Sequence, residues 1–499
     1  MYFLGYDIGS SSVKASLIEG ANGKLIASAF SPQTEMRISG PKPGWAEQDP
    51  ELWWEHVKAA TAEILSQKTV NIEDIKAIGI SYQMHGLVLV DKNQKALRAA
   101  IIWCDSRASE IGDKAFTEIG ESKCFSHFLN SPGNFTASKL KWVKENEPEV
   151  YNRIYKFMLP GDYIAMKMSG EIQTTISGLS EGTLWDYKEQ GIANLLLNHY
   201  GISESLIPEI VSTFSIQSTL SSTAAKELGL KVGTKITYRA GDQPNNAFSL
   251  NCLNPGELAT TAGTSGVIYG VTDQTKYDER SRVNAFVHVN HAKEIPRYGV
   301  LMCVNGAGVL NSWLKQFLNI SGEFSYGQMN ILAGQAPVGV EGLLFYPFGN
   351  GAERILENKN PGALLQNFHF NTHSTSHLLR AAQEGIVFAL NYGLEIMKGM
   401  DVKAKVIRAG EANMFHSPVF CEAFSSLTGT IIELYNTDGS QGAARGAGIG
   451  FGFYKSFSEA FNNLNKTRTV EPDKHLATKY QDTYANWLKH LNKILSQQS

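Results

Sequence analysis

The sequence is poor in cysteine, with five residues among 499, and no two of them form a CxxC pair. An odd number of widely spaced cysteines argues against a disulfide framework and is typical of reduced thiols. No apolar run approaches the roughly 20 residues that a membrane-spanning helix needs. An apolar segment begins directly after Met1, which leaves no room for a secretory signal peptide. We therefore expect a cytoplasmic protein with no membrane partner.

An excess of either charge is also missing. The chain has 45 basic and 48 acidic residues, a formal net charge of −3. Nucleic-acid binding by a basic surface is not indicated, so we expect a small molecule as partner. At 499 residues the chain is longer than the roughly 250 to 300 residues that one hydrophobic core supports. Two or three domains are predicted.

The common short motifs of nucleotide-binding and hydrolytic enzymes are absent. The sequence contains no GxxxxGK[ST], no GxGxxG and no GxSxG. A P-loop, a dinucleotide-binding turn and a nucleophile elbow are therefore not predicted. Any nucleotide site must use another arrangement.

What the sequence does have is an α/β pattern with two similar hairpins. Strands are predicted over 2–7, 12–18 and 24–30, followed by a helix at 50–66 and an apolar strand at 75–81. In the second half, residues 257–272 again read strand, small-residue turn, strand. This similarity predicts either an internal duplication with a site between two similar domains, or a chance likeness of two turns.

The turns of these hairpins carry groups that bind phosphate. Backbone N–H groups and hydroxyls in tight turns form anion-binding concavities, and the hydroxyls are those of Ser10, Ser11, Ser12, Thr264 and Ser265. Lys14 either reaches a phosphate or is a solvated strand residue. Asp7 suits Mg²⁺, which takes one or two carboxylates and keeps most of its waters.

A third candidate residue is Asp242, in the segment ITYRAGDQPNNAFSLN. The segment predicts a strand, a turn at 241–244 and a helix. Since the position before a proline resists helix, Asp242 is expected at a strand end or at a helix N-terminus. From this segment alone, Asp242 is interpreted as a helix N-cap or turn aspartate.

Eight blocks in order resemble the FGGY carbohydrate kinases and cover nearly the whole chain. They are DIGSSSVK (7–14), PGWAEQDPELWW (43–54), YQMHG (82–86), WCDSR (103–107), PGNFTASKLKWVKENEP (132–148), LPGDY (159–163), GDQ (241–243) and GTSG (263–266). Within that family, QMHG and the 43–54 block are most similar to the members that phosphorylate D-xylulose.

The resemblance implies an α/β fold of two actin-like (ribonuclease H-like) ATPase domains flanking a central cleft. The expected domains are an N-terminal sugar-binding domain at 1–245 and a C-terminal ATP-binding domain at 246–499. ATP and Mg²⁺ are the implied cofactors. Asp242 matches the catalytic base, and it is also, with Asp7, an implied metal ligand.

The resemblance also assigns binding residues. Met84 and His85 match sugar contacts, and Asp242 is included among the substrate-binding residues. Asp105 either lines the sugar side or pairs with Arg107, and Trp103 is expected in the core. Phosphate and adenosine contacts are implied for the following positions: Ser10, Ser11, Lys14 and Thr264 for phosphate, and Gly308, Gly410 and Asn413 for adenosine.

Two blocks depart from the family pattern. The adenosine stretch 408–413 keeps only one glycine, and the block Gly351–Leu356 lacks a Thr-Pro pair. The expected function is phosphorylation of D-xylulose to D-xylulose 5-phosphate. The alternatives are a kinase for another polyol or ketose (glycerol, L-ribulose or gluconate) and a non-catalytic actin-like ATPase or scaffold. A homodimer is the default oligomer.

Overall fold

The computed structural model describes residues 1–67, 70–319, 322 and 324–497. The chain forms two compact units, each discontinuous in sequence. Unit 1 contains residues 1–251, 286–297 and 437–464, and unit 2 contains residues 252–285, 298–436 and 465–499. Within the described ranges, no helix is long and apolar enough to cross a membrane.

The first half of the chain supplies most of unit 1. Its strands are β1 (Tyr2–Ile8), β2 (Val13–Glu19), β3 (Leu25–Ser31), β4 (Glu47–Gln48), β5 (Ile75–Tyr82), β6 (Val88–Val90), β7 (Ala100–Ile101), β8 (Lys156–Met158), β9 (Gln173–Thr175), β10 (Trp185–Asp186), β11 (Gly191–Ile192), β12 (Glu209–Val211), β13 (Phe214–Thr219) and β14 (Lys235–Gly241). Its helices are α1 (Pro50–Ser66), α2 (Ser109–Ile119), α3 (Glu121–Phe128), α4 (Thr136–Asn146), α5 (Pro148–Tyr151), α6 (Pro160–Ser169), α7 (Ile176–Glu181), α8 (Asn194–Tyr200), α9 (Ser222–Leu228) and α10 (Asp242–Ser249).

The second half supplies unit 2 and two further helices of unit 1. Its strands are β15 (Glu257–Ala262), β16 (Gly266–Thr272), β17 (Asn284–Val287), β18 (Tyr298–Val304), β19 (Leu344–Phe348), β20 (Gly362–Gln366), β21 (Val406–Gly410), β22 (Ile432–Tyr435) and β23 (Lys466–Val470). Its helices are α11 (Gly308–Leu318), α12 (Tyr326–Gln335), α13 (Thr375–Gly399), α14 (Pro418–Thr428), α15 (Gly439–Gly450), α16 (Phe457–Phe461) and α17 (Lys474–Ser496).

Unit 1 is built around a mixed sheet in the order β13-β14-β5-β1-β2-β3. The strands β3, β2 and β1 are antiparallel neighbours, β1, β5 and β14 run parallel, and β13 returns antiparallel. β1 and β2 pair from Tyr2 with Glu19 to Ile8 with Val13. Residues 9–12 therefore form the predicted turn, at the same sheet edge as the carboxyl ends of β5 and β14.

Unit 2 repeats this topology. Its sheet has the order β17-β18-β16-β15-β21-β22-β23. From β18 to β23 the orientations are again antiparallel, antiparallel, parallel, parallel, antiparallel. The strand β17 is an addition at the edge. A shared topology in two halves of one chain agrees with the predicted duplication rather than with a chance likeness of two turns.

Helix α15 packs against the sheet of unit 1 although it lies late in the sequence. The four-residue spacing of Gly442, Gly446 and Gly450 places them on one face of it, and a Cβ on Gly446 would lie 2.5 Å from the Tyr238 ring. From the sheet, Gly5 and Gly79 leave no room for a side chain below the α15 backbone. Glycine on both surfaces lets helix and sheet approach closely.

Three expectations differ from the structure. No turn separates β14 from α10, because the helix begins at Asp242 and the strand ends one residue earlier. Trp103 is 54% exposed, so its predicted core position is wrong. The expected domains, 1–245 and 246–499, are continuous, whereas unit 1 takes in residues 286–297 and 437–464. The reason is the packing of α15 and α16 on unit 1.

Candidate active site

The hydroxyl-rich turn between β1 and β2 is held by side chains from other predicted blocks. The Gly9 N–H donates to the Ser12 carbonyl at 3.0 Å and closes the turn. Gln48 Nε2 donates to the Ser10 carbonyl at 2.7 Å. The exposed Trp103 places its Nε1 3.3 Å from Ser10 Oγ. Ser11 is exposed as well. The serines therefore lie at a fixed but accessible turn.

Asp7 lies near the end of β1, one residue before Ile8. Its Oδ1 accepts from the Ser81 hydroxyl of β5 at 2.9 Å. Lys14 is its cross-strand partner and is exposed. Burial raises the pKa of the Asp7 carboxyl, and the opposite charge of Lys14 acts against that rise. Lys14 therefore acts on the Asp7 carboxyl through its charge, as the cross-strand neighbour.

Asp242 is the first residue of α10, directly after the carboxyl end of β14. The predicted alternatives, a strand end and a helix N-terminus, are both realised. Burial, and next the negative charge of Asp7, raise the pKa of Asp242 to about 7. A carboxyl whose pKa lies near neutrality is suited to accept a proton at physiological pH.

The residues around these two carboxyls fit a hard divalent cation. Asp7 and Asp242 offer oxygen ligands, and Gly439 brings its backbone close, since a Cβ there would lie 2.6 Å from Asp7 Oδ2. Across the described residues, no group of three or more His, Cys, Asp or Glu side chains forms a dedicated metal cage. Mg²⁺ does not need one, because it binds through one or two carboxylates together with substrate phosphates.

Met84 and His85 follow β5 at the same sheet edge. Met84 is buried, and His85 has a left-handed backbone with φ of 60°. The Nδ1–H of His85 donates to the Glu181 carbonyl at 2.7 Å, which defines the ring tautomer. The buried Lys139 Nζ donates to the carbonyls of His85 at 3.1 Å and Ile102 at 2.9 Å. Hence both the backbone and the ring of His85 are positioned.

Asp105 forms a buried ion pair with Arg107. It is fully buried, and Arg107 donates to both of its carboxylate oxygens through Nε and Nη2 at 2.7 to 3.0 Å. The Ala46 N–H donates to Oδ2 as well, at 2.5 Å. Arg107 also pairs with Glu47 at 2.7 Å and lies 3.8 Å from the centre of the Trp45 ring. Of the two predicted alternatives, the geometry is that of the ion pair.

Unit 2 contains a cavity of about 830 Å³ that collects three of the predicted nucleotide-binding residues. Thr264, Gly308 and Asn413 line it, with the following further residues: Ala262, Gly263, Val309, Asn311, Ser312, Tyr326, Gly327, Asn330, Ala412, Met414 and His416. This volume is typical of a small-molecule site. Gly410 is not among the lining residues and ends β21 three residues before Asn413.

The loop before α11 shapes this cavity. A Cβ on Gly308 would collide with the Gly263 carbonyl, so only glycine allows the two loops to meet. The fully buried Glu353 accepts from the Asn305 N–H with both carboxylate oxygens, at 2.9 and 3.0 Å. Burial raises the pKa of Glu353 to about 7, against the lowering effect of the N–H groups of Asn305 and Gly306. Glu353 therefore anchors the loop that leads to Gly308.

Sequence reasoning missed three residues of these sites. Lys139 was part of a matched block and Glu353 of a block that departs from the family pattern, both without an assigned role, and Glu181 lies outside every block. A lysine inside a helical, partly apolar segment gives no sign that its Nζ will reach two carbonyls from other elements. For Glu353 the Gly-Ala-Glu-Arg block was a usable signal. For Glu181 the sequence contained none.

Two family models match the chain. The N-terminal domain of the FGGY family of carbohydrate kinases matches residues 2–249, and the C-terminal domain of the same family matches residues 258–450. Together they cover more than half of the chain.

Curated relatives match at nearly full length. Xylulose kinase from Bacillus subtilis (strain 168) is 31% identical, covering 99% of this chain and 98% of that protein. Xylulose kinase from Escherichia coli (strain K12) is 30% identical, with 96% of both chains covered. L-xylulose/3-keto-L-gulonate kinase from Escherichia coli (strain K12) is also 30% identical, covering 98% of this chain and 96% of that one.

Solved structures share the fold. A ligand-bound xylulose kinase and a gluconate kinase, both from Lactobacillus acidophilus, each superpose with a TM-score of 0.89 at 23% identity, covering 99% of this chain and 98% of theirs. Plasmodium falciparum glycerol kinase with ADP gives a TM-score of 0.85 at 20% identity, with 98% of both chains covered. The predicted fold class, α/β with two actin-like ATPase domains, is confirmed.

Proposed function

Because this chain belongs to the FGGY family of carbohydrate kinases, we propose that it transfers the γ-phosphoryl group of ATP to the terminal hydroxyl of D-xylulose. The products are D-xylulose 5-phosphate and ADP. One observation carries the choice of the sugar side: Met84, His85 and Asp242 follow neighbouring strand ends of the unit 1 sheet. The full-length similarity to xylulose kinases supports the choice of sugar.

In the proposed reaction, Asp242 accepts the proton of the sugar hydroxyl. That oxygen forms a bond to the γ-phosphorus, and the bond from this phosphorus to the β,γ-bridging oxygen breaks as ADP leaves. The pKa of about 7 allows Asp242 to be deprotonated before the step and protonated after it. Met84 supplies an apolar wall and His85 a ring nitrogen for a hydroxyl, held by Lys139 and by the Glu181 carbonyl.

The phosphate and nucleotide groups have their own residues in this proposal. Ser10, Ser11 and Thr264 donate to phosphate oxygens, with Lys14 as a further cation. The cavity beside Thr264, Gly308 and Asn413 holds the adenosine. Asp7, with Asp242, is the proposed holder of Mg²⁺. When bound, that ion would neutralise charge that develops on the phosphates.

A second candidate is a kinase for another polyol or ketose. It is favoured by the relative named L-xylulose/3-keto-L-gulonate kinase and by structures named gluconate kinase and glycerol kinase. A shared fold does not decide among such substrates, because side-chain contacts in the site set the choice. The non-catalytic scaffold is set aside, since the family is one of kinases.

A panel of acceptors tests the proposal. ADP release is coupled to NADH oxidation with D-xylulose, L-xylulose, L-ribulose, D-gluconate and glycerol as acceptors. We expect the highest kcat/KM with D-xylulose and little ADP release without a sugar. A higher kcat/KM with gluconate or glycerol would support the second candidate instead. Release of ADP at one rate with and without every sugar would contradict both.

A further inference from the structure

Glu181, the last residue of α7, has a buried carboxyl group that no donor reaches with good hydrogen-bond geometry. The residue is 1% exposed, and neither Oε1 nor Oε2 has a hydrogen-bond partner among the residues that the structure describes. It also takes part in none of the ion pairs found in that part of the chain. Burying a carboxyl without hydrogen bonds is costly, so such a group calls for an explanation.

The position of this carboxyl coincides with the proposed sugar site. A Cβ built on Gly241 would collide with Glu181 Oε2 and would lie 2.7 Å from Met84 Cγ. The Glu181 carboxyl and Met84 therefore both pack against Gly241, the residue directly before Asp242. The carbonyl of Glu181 binds the ring of His85 at 2.7 Å. One residue thus contacts or adjoins all three side chains assigned to the acceptor and the base.

The polar groups around Glu181 do not satisfy it. The Tyr82 hydroxyl and the His85 N–H lie close enough to the carboxyl to lower its pKa, but neither meets hydrogen-bond geometry at Oε1 or Oε2. Arg239 is paired with Asp162 at 3.2 Å, and Lys139 donates to two carbonyls. Asp242 and Asp162 have the same sign as Glu181, and after burial their charges raise its pKa further. Acceptor capacity on the Glu181 carboxyl is therefore left unused by the described residues.

We propose that Glu181 is a specificity-determining residue that hydrogen-bonds a hydroxyl of the acceptor other than the one phosphorylated. This inference rests on the proposed sugar kinase function and extends it to a residue outside the recognised blocks. A polyol brings O–H donors to a carboxyl whose oxygens have no partner in good hydrogen-bond geometry, and a carboxyl oxygen accepts from a hydroxyl in either protonation state. A site built in this way rejects an acceptor without that hydroxyl, because the carboxyl then stays unsatisfied.

The alternative is that Glu181 acts only through its charge on Asp242. A residue with that role would change the rate with every acceptor by one common factor. A residue that binds a hydroxyl changes the rate in a way that depends on whether the hydroxyl is present. The two roles are therefore separated by a cycle that combines a protein substitution with a substrate deletion.

The experiment measures kcat and KM for the acceptor on which the wild-type protein is most active, and for its monodeoxy analogues. For D-xylulose these lack O1, O3 or O4. The variants are Glu181→Ala and the near-isosteric Glu181→Gln, whose amide still offers an acceptor. Glu384→Gln in unit 2 is the matched control, since Glu384 is also 1% exposed but pairs with Arg380.

For at least one analogue we expect deletion of the hydroxyl to lower kcat/KM of the wild-type protein about 100-fold or more. In Glu181→Ala the same deletion should lower kcat/KM less than about tenfold, mainly through KM. The factor for Glu181→Gln should lie between those of Glu181→Ala and the wild type, and the factor for Glu384→Gln should equal that of the wild type. An equal cost in wild type and in both Glu181 variants, for every analogue, overturns the inference. If D-xylulose is not a substrate, the wild-type protein will show a low kcat/KM with it, and this result is independent of the Glu181 variants. If circular dichroism shows that Glu181→Ala does not fold, Glu181→Gln still gives the ratio of kcat/KM between the acceptor and its deoxy analogue.

Discussion

Asp242 brings together the two properties that a proton acceptor needs, position and basicity. It is held at the junction of a buried strand and a helix, so its backbone has little freedom. Its pKa of about 7 results first from burial and then from the negative charge of Asp7. At neutral pH the carboxyl therefore exchanges a proton readily in both directions.

Replacing Asp242 by asparagine should remove this basicity while keeping the shape of the side chain. We expect Asp242→Asn to lower kcat by about 10² to 10⁴-fold with the melting temperature and ATP binding retained. Steady-state kinetics with D-xylulose and calorimetric titration with ATP measure the two effects. The control is Asp473→Asn, which changes the N-cap of α17 to another good capping residue. A kcat of Asp242→Asn within threefold of the wild type would contradict the assigned role.

At this scale, sequence reasoning located residues whose role depends on local motifs. Asp242, Met84 and His85 were assigned from short blocks, and the structure brings them to one sheet edge. Trp103 was misjudged because an indole is usually buried, whereas here its Nε1 lies at an accessible turn. Asp105 and Glu181 could not be separated from sequence. Both are buried acids, and only the fold determines that Arg107 pairs with Asp105 while no cation among the described residues pairs with Glu181.

Among the elements, α15 shows how glycine spacing controls packing. Gly79 in β5 lies directly below the Ala443 carbonyl, and a Cβ there would collide with it. The four-residue spacing of the helix glycines is visible in the sequence, whereas no such spacing marks the matching glycines of the sheet. Single glycines inside strands carry no periodicity, so their partner was not predictable from sequence.

An added methyl group at this contact should therefore destabilise the protein. We expect Gly79→Ala to lower the free energy of unfolding by about 1 to 3 kcal/mol or more, as in overpacked cores. Gly399→Ala is the matched control, because that glycine ends α13 with no atom near its Cβ position and should be neutral or slightly stabilising. Differential scanning calorimetry of both variants makes the comparison. Equal melting temperatures would contradict the close contact.

The loop before α11 should make stability depend on pH through Glu353. Burial raises its pKa to about 7 from the ordinary 4.5, so between these values the folded protein binds more protons than the unfolded chain. Stability is therefore lost as pH rises through this window, by up to roughly 3 kcal/mol from this group.

The variant Glu353→Gln cannot titrate and should lose no such stability. Its melting temperature relative to the wild type should thus rise between pH 5 and pH 8. Thermal melts in matched buffers measure the difference. A difference that is constant, or that moves in the opposite direction, would show that Glu353 is not a carboxyl of raised pKa.

For the whole molecule, the repeated sheet topology is the dominant feature, and it was only partly predictable. The hairpins 2–19 and 257–272 gave the first strands of each half, since alternation and turn residues are local signals. The parallel strands β21 and β22, and the return of residues 437–464 to unit 1, depend on contacts far apart in sequence. A homodimer stays a prediction that light scattering can test.

The claim that this molecule phosphorylates D-xylulose is tested most directly by the product. The purified protein is incubated with ATP, Mg²⁺ and D-xylulose, and the mixture is followed by ³¹P NMR with proton coupling. We predict a phosphomonoester signal split by the two protons of C5, formed in equal amount with ADP. ADP without a phosphomonoester, or a phosphomonoester only when gluconate or glycerol replaces D-xylulose, would contradict the claim.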